Sequence, residues 1–574
     1  MAMRSMPKRR RLCRRHKPPQ TRYLSTVQEK WIIRLIAILL LPALFWNLGV
    51  MVFIDDEAIR ALVAQEMEWS GNYLVPTMHA DAYFNKPPLW NWILVLSFRL
   101  WGGASEWSAR FPTVICLLGY ATTTYYLSKE YLGKRNALLG ALMVITCGRM
   151  LFWDSLLALI DVCFSWVIFS QFLLLYRYGQ RGDWWRAFSW TYLLTAIAFM
   201  LKGLPAIVFQ AITLIAYLIW RGEWKQLFRP AHILSGLGCL ALLACYYIPY
   251  SQQVPFEHVW ERLFTESSKR TALEHGIWDT LGHLVNFPLE MTYHFLPWTL
   301  LLIFFIRKDL RRRLSGQHFA RYLLLVFLVN IPIYWLSPNV YPRYLLMLFP
   351  LLFMAAVSQH EEQRKEGTWN YKVFYYLFFG VIGLFSLAII FFPLIPETEI
   401  LPYRWPLALV GTSAGLAITY FYWRQEAQGL LLLVAFMLLI RILVNGFVIP
   451  PRAVDDVKGQ AVKETALRVG GNPDLRPLAI YGWTTIEPAT GYYLEQAYGG
   501  FVYRHVSELD SNAYYIVSPR QYPAAAAAVT PDSLFLRHDH RPYYRLIDLR
   551  EYKIEAPNTA LTDADGSGSG VRVE

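Results

Sequence analysis

Cysteine is scarce in this sequence, six in 574 residues, and the six form no C-x-x-C pair and no zinc-type spacing. That excludes a disulfide framework and a thiolate metal site. Charge is scarce as well: 17% of residues are Asp, Glu, Lys or Arg, whereas soluble domains carry about 25%. No small-residue cleavage site follows the basic start KRRRLCRRHK, so no removable secretory signal is expected. Charges inside the apolar runs are nearly absent, with Arg441 the clear exception. A transporter is expected to keep ionisable groups near the membrane midplane, so this scarcity weighs against one.

What is present is apolar sequence. Hydrophobic residues make up 55% of the chain and the mean hydropathy is +0.27. The apolar runs approach the roughly 20 residues that an α-helix needs to cross a bilayer. The fold class expected is an α-helical polytopic membrane protein of about 13 spans, with a small C-terminal α/β domain. The net charge of +13 fits this class. Lys and Arg gather in short loops between apolar runs, as the positive-inside rule requires, and nucleic acid is not an expected partner.

Threading the chain with basic loops inside gives a cytoplasmic tail over 1–30 and a membrane domain over 31–450. Spans are expected at 31–53, 108–128, 136–153, 157–178, 187–201 and 231–250, with a re-entrant segment at 88–101 and further spans to Pro450. External loops are expected at 54–88 and 251–288. Residues 452–556 carry strand-like stretches (LAIYGW, FVYRHV, AYYIVS, LFLRHD, YRLIDL) with helical ones (ATGYYLEQ, PAAAAAV), and are expected to form an external α/β domain. Residues 557–574, with TDADGSGSG, are expected to be disordered.

On this threading the unusual polar residues fall at the external ends of spans: Asp55, Asp56, Glu57, Lys86, Asp154, Asp161 and Lys202. The loop 251–288 adds Arg270, and the turn SPNVYPR adds Arg343, followed by Tyr344. A charged constellation on one face suits chemistry at the membrane surface. The acids at 56 and 57 also have a plain explanation, because carboxylates in a first helical turn favour the helix dipole. The stretch they open, with Ile59, Leu62, Val63 and Met67 at helical spacing, is expected to lie in the interface. Further along the loop, Pro87-Pro88 fixes how the chain enters the membrane and sets Lys86 at headgroup level, where a phosphate would lie.

These residues also carry a resemblance. Asp56-Glu57, then Glu66-Met67, then SGNYLVP from Ser70, then YFNKPP from Tyr83, resemble the first external loop of polyprenyl-phosphate-sugar glycosyltransferases of the GT-C superfamily. Within them the loop is most similar to the lipid A 4-amino-4-deoxy-L-arabinose transferases. SARFPTVI, Asp161 and LKGLPAIV extend the likeness over about the first 350 residues. The chain departs from the pattern at Ile59-Arg60, where the family has Arg-Tyr, and at Asn85, where it has Glu; Asp55 is an additional acid.

The resemblance implies an undecaprenyl-phosphate-linked aminoarabinose donor and a lipid A phosphate acceptor. It implies an active site on the periplasmic side of a bacterial inner membrane, and cationic modification of lipopolysaccharide that gives polymyxin resistance. Asp56 is the leading catalytic carboxylate, with Asp55 and Asp161 beside it. Glu57, Arg60, Tyr83, Lys86, Lys202, Arg270, Arg343 and Tyr344 are the expected substrate-binding residues. No cofactor and no resident metal are expected, although His and Glu in the external loops leave a divalent ion open, and a monomer is expected. The alternatives are a protein O-mannosyltransferase or another polyprenyl-phosphate hexosyltransferase and, in a different class, a lipid-linked sugar flippase.

Overall fold

The computed structural model describes residues 20–54, 56–255, 277–337, 340–506, 509–523, 533–535 and 543–548. Asp55, Arg270 and the tails 1–19 and 557–574 lie outside the described residues, as does the PAAAAAV helix beyond its proline. Among the described residues, five helices are long and apolar enough to cross a membrane: Ile160–Gln180, Pro230–Ser251, His318–Trp335, Trp369–Leu394 and Glu426–Asp455. A sixth, bent by 45°, joins Glu106–Thr146 to Gly148–Leu156. The other expected spans are shorter or broken, so the count of about 13 does not follow from helix length alone.

Several boundaries differ from expectation, each for a local reason. The first helix runs Gln20–Phe45 and stops short of residue 53, since Asn47 takes a positive φ of 60°. The helix Glu106–Thr146 opens on a capping box, in which Ser105 and Ser108 each bond the other's backbone N–H. It kinks at Gly133 (φ 77°, ψ 158°), in the basic stretch KEYLGKR. The span expected at 136–153 breaks at Cys147. There Gly148 donates its N–H to Leu296 O at 2.6 Å, and a Cβ at 148 would meet that oxygen at 2.8 Å. Residues 251–288 are not all loop, because an α-helix occupies Ile277–His294.

Arg441, buried within the helix Gly429–Phe447, is held by neutral groups. Its Nε donates to Asn445 Oδ1 (2.8 Å) and its Nη1 to Ser155 Oγ (3.2 Å). That ties the last membrane helix to the break after Cys147.

Beyond the bundle, five strands form one sheet in the order Arg504–His505, Leu478–Tyr481, Tyr514–Val517, Tyr543–Asp548, Ser533–Phe535. The first two pairings are parallel and the last two antiparallel. The helices Val457–Gly471 and Pro488–Tyr498 pack together on it.

The loop helix Asp56–Ser70 is covered by protein on several sides. It packs between the helix Leu89–Trp101 and the helix Pro488–Tyr498, and ten of its residues are buried. The C-terminal unit thus sits on the first loop. Tyr493 accepts from Phe53 N (3.1 Å) and donates to Glu106 (2.8 Å); Lys463 donates to the same Glu106 (2.6 Å).

Candidate active site

The site is built on a buried ion pair. Glu57, in the first turn of the loop helix, is fully buried. Its Oε1 accepts from Ile54 N (2.9 Å) and Arg110 Nη2 (2.7 Å); its Oε2 accepts from Arg110 Nε (3.1 Å) and Ala158 N (3.0 Å). Arg110 also donates to the carbonyls of Leu48 (3.0 Å), Met51 (2.9 Å) and Val52 (3.3 Å). A forked guanidinium satisfies several acceptors in one plane, so this pair fixes three chain segments against each other. Glu57 was expected to bind substrate. Both its oxygens are instead committed inside the protein, which makes it a positioning residue. Arg110 was not singled out, since in SARFPTVI it reads as an ordinary charge near a helix start.

The knot sets Asp56 beside the break that precedes Asp161. Asp161 lies in the first turn of Ile160–Gln180, and Lys202 closes Trp184–Lys202 before Gly203. Each sits at the helix end whose dipole favours its charge. Lys202 Nζ donates to Asp161 Oδ1 at 2.5 Å, and Arg343 Nε lies 3.7 Å from Asp161 Oδ2. Arg343, in the short helical turn Pro342–Leu345, also donates Nη2 to Asp56 Oδ2 at 3.0 Å. The four side chains form a chain of alternating sign, Asp56–Arg343–Asp161–Lys202. Tyr344 supports it, its ring centre 4.0 Å from Lys202 Nζ. Asp56 is the open end: its side chain is 44% exposed, against 5% for Arg343 and 9% for Asp161.

The remaining expected residues divide. Arg60 Nη1 donates to Tyr83 Oη at 3.0 Å and both side chains are buried, so they brace the loop helix against the chain that leads into Lys86. Lys86, half-buried, precedes Pro87-Pro88 and the helix Leu89–Trp101. Behind the site, Asp154 is buried and bonded by Arg149 at 3.0 and 3.2 Å. What the arrangement offers is one accessible carboxylate beside two cations already held in place, a template for a substrate that carries or develops both signs of charge.

The fold built around this site has known counterparts. It matches the crystal structure of ArnT from Cupriavidus metallidurans bound to undecaprenyl phosphate with a TM-score of 0.63, covering 90% of this chain and 98% of that one at 16% identity. The apo structure of that protein matches equally, at TM-score 0.63 and 17% identity over 91% and 98%. The chain has the GT-C fold. It is a multi-pass membrane protein, and its GT-C core carries local sequence kinship too. Residues 85–248 match the family described as dolichyl-phosphate-mannose-protein mannosyltransferase. An uncharacterized protein of Aquifex aeolicus is 25% identical over 384 residues, 64% of this chain and 73% of that one. The undecaprenyl phosphate-alpha-4-amino-4-deoxy-L-arabinose arabinosyl transferase of Edwardsiella ictaluri is 25% identical over 318 residues, 54% of this chain. The match spans only about half of that relative, 55% of its length.

Proposed function

We propose that this chain is an integral membrane glycosyltransferase that moves 4-amino-4-deoxy-L-arabinose from undecaprenyl phosphate to lipid A phosphates. The reaction takes place on the periplasmic face of a bacterial inner membrane. The observation that carries the reading is the Asp56–Arg343–Asp161–Lys202 chain, open at Asp56, on a fold shared with a protein crystallised with undecaprenyl phosphate. An acceptor phosphate oxygen attacks the anomeric carbon. The bond from that carbon to the donor's phosphate oxygen breaks, and the lipid phosphate leaves with the electron pair. Arg343, Lys202 and Lys86 stabilise the charge that grows on the leaving phosphate. The acceptor phosphate is already ionised near neutral pH, so no base is required. Asp56 instead holds the sugar's ammonium or the positive charge that develops at the anomeric carbon.

Mass spectrometry of lipid A from cells with and without the gene tests the proposal. A mass increment of one aminopentose that depends on the gene is expected. Unchanged lipid A, with hexose appearing on protein instead, would return the chain to the mannosyltransferase reading.

Two further outcomes follow. Lys86→Arg is expected to keep part of the donor affinity and single-turnover rate, and Lys86→Met almost none, because charge at the leaving phosphate matters more than shape. Equal rates for the two variants would mean that Lys86 only reaches toward lipid headgroups. The threading predicts that the strand end at Tyr503 faces outward and that Arg312, whose side chain is 82% exposed, faces the cytoplasm. In a cysteine-free background, an impermeant thiol reagent applied to spheroplasts should label Tyr503→Cys and spare Arg312→Cys. The reverse pattern would invert the topology.

A further inference from the structure

Away from the Asp56 site, the first loop meets the C-terminal unit in a second cluster of titratable groups. The two-residue strands Thr77–Met78 and Asp81–Ala82 pair through a turn at His79-Ala80, where φ is +56° and +62°. Such turns usually carry Asn-Gly, since side chains with a Cβ resist positive φ. Holding two such residues there costs about 1–3 kcal/mol each. The strained turn delivers His79 to the helix Pro488–Tyr498, with Nδ1 2.9 Å from Glu495 Oε1. From the other side, Glu66 on the loop helix accepts from His79 N (2.5 Å) and Ala80 N (3.2 Å). Gly491 leaves room for the imidazole, because a Cβ there would lie 2.4 Å from His79 Cε1.

Glu66, His79 and Glu495 are 0%, 2% and 0% exposed, and one ligand-capable atom from each lies within 4.8 Å of the others. Among the described residues no Lys or Arg is ion-paired with them: Arg504, which acts on His79, is bonded to Asp81 at 2.9 Å. Glu495 Oε2 and His79 Nε2 are buried with no hydrogen-bond partner among the described residues. Two buried carboxyl groups closed in with an imidazole, with no cation bonded to them among the described residues, must share protons or hold a cation.

We propose that Glu66, His79 and Glu495 bind one divalent transition-metal ion, preferentially Zn2+, which clasps the first loop to the C-terminal unit. One imidazole nitrogen and two carboxylate oxygens suit Zn2+, which takes four ligands, leaving one position for water. Ca2+ and Mg2+ need more oxygen ligands than this cluster supplies. The ion's two positive charges would cancel the two carboxylates. The site is separate from the proposed transfer chemistry and does not rest on it. It was hidden from sequence reading because its members stand at positions 66, 79 and 495, with no local ligand spacing.

The test is Zn2+ titration of the chelator-stripped full-length protein in detergent, read by calorimetry, metal content and thermal unfolding. One Zn2+ per chain is expected, with a rise in melting temperature that Mg2+ at equal concentration does not give. Glu495→Gln and His79→Gln are each expected to weaken Zn2+ binding by about tenfold or more. Failure of the wild-type protein to take up Zn2+ saturably would overturn the proposal without reference to any variant's folding. So would unchanged affinity in both variants, which would place the ion elsewhere.

Discussion

Asp56→Asn lowers the single-turnover transfer rate by about 10²–10³-fold while the protein inserts and melts like the wild type. The expected loss is large because the substitution keeps shape and removes only charge at the one exposed member of the Asp56–Arg343–Asp161–Lys202 chain. Its structural cost is small for the same reason, since a side chain 44% exposed is solvated in either form. Asp161→Asn behaves differently. It removes the partner of a largely buried lysine and arginine, so it lowers stability and activity together. The pair of variants separates chemistry from scaffolding: stopped-flow or quench measurements give the rate, and thermal unfolding gives the fold. A wild-type rate in Asp56→Asn would reduce that aspartate to a helix cap.

The largest expected effect on folding is at Glu57. Glu57→Ala leaves Arg110 buried with its carbonyl partners but no counter-charge, and removing one member of a buried pair costs about 3–5 kcal/mol. The melting temperature should fall by several degrees and donor binding should fall with it, because the chain segments bearing Asp56 and Asp161 lose their common anchor. Arg110→Met should do at least as much harm, since Arg110 also holds the carbonyls of Leu48, Met51 and Val52. If Glu57→Ala melted like the wild type and lost only donor affinity, Glu57 would be a substrate contact after all.

What could be read from the sequence depended on how local the signal was. Apolar runs are local, and so is the clustering of basic residues in short loops; Asp161 and Lys202 were singled out because the threading built on both put them at span ends, where the helices do end. Alternation along LAIYGW, FVYRHV, AYYIVS, LFLRHD and YRLIDL marked five segments that become the strands of one sheet. The Glu57–Arg110 knot was missed because its members are 53 residues apart and each looks ordinary alone. Arg343 was noticed, but its bond to Asp56 joins residues 287 apart, so its place at the centre of the site was not legible. The part of the helix Ile277–His294 up to residue 288 was read as loop because His283 and Pro288 interrupt its apolar residues. The cover that Pro488–Tyr498 lays over the loop helix was not legible, because an amphipathic pattern fits a lipid interface and a protein partner equally well.

The hydrogen bond from Phe53 N to Tyr493 Oη joins residues 440 positions apart and lies three residues before Asp56, the carboxylate proposed to act on the donor sugar. Translation proceeds at roughly 5–20 residues per second, so the ribosome needs roughly 20–90 s between making the two partners. During that interval the membrane helices can insert and pack through contacts near in sequence. The loop that carries Asp56, however, lacks the helix that covers it, so a chain truncated before Tyr493 carries every residue of the charged tetrad without the lid that orders it. Completion of the proposed site is therefore expected to be among the last events in this protein's synthesis, and a chain ended before Tyr493 is expected to insert without completing it.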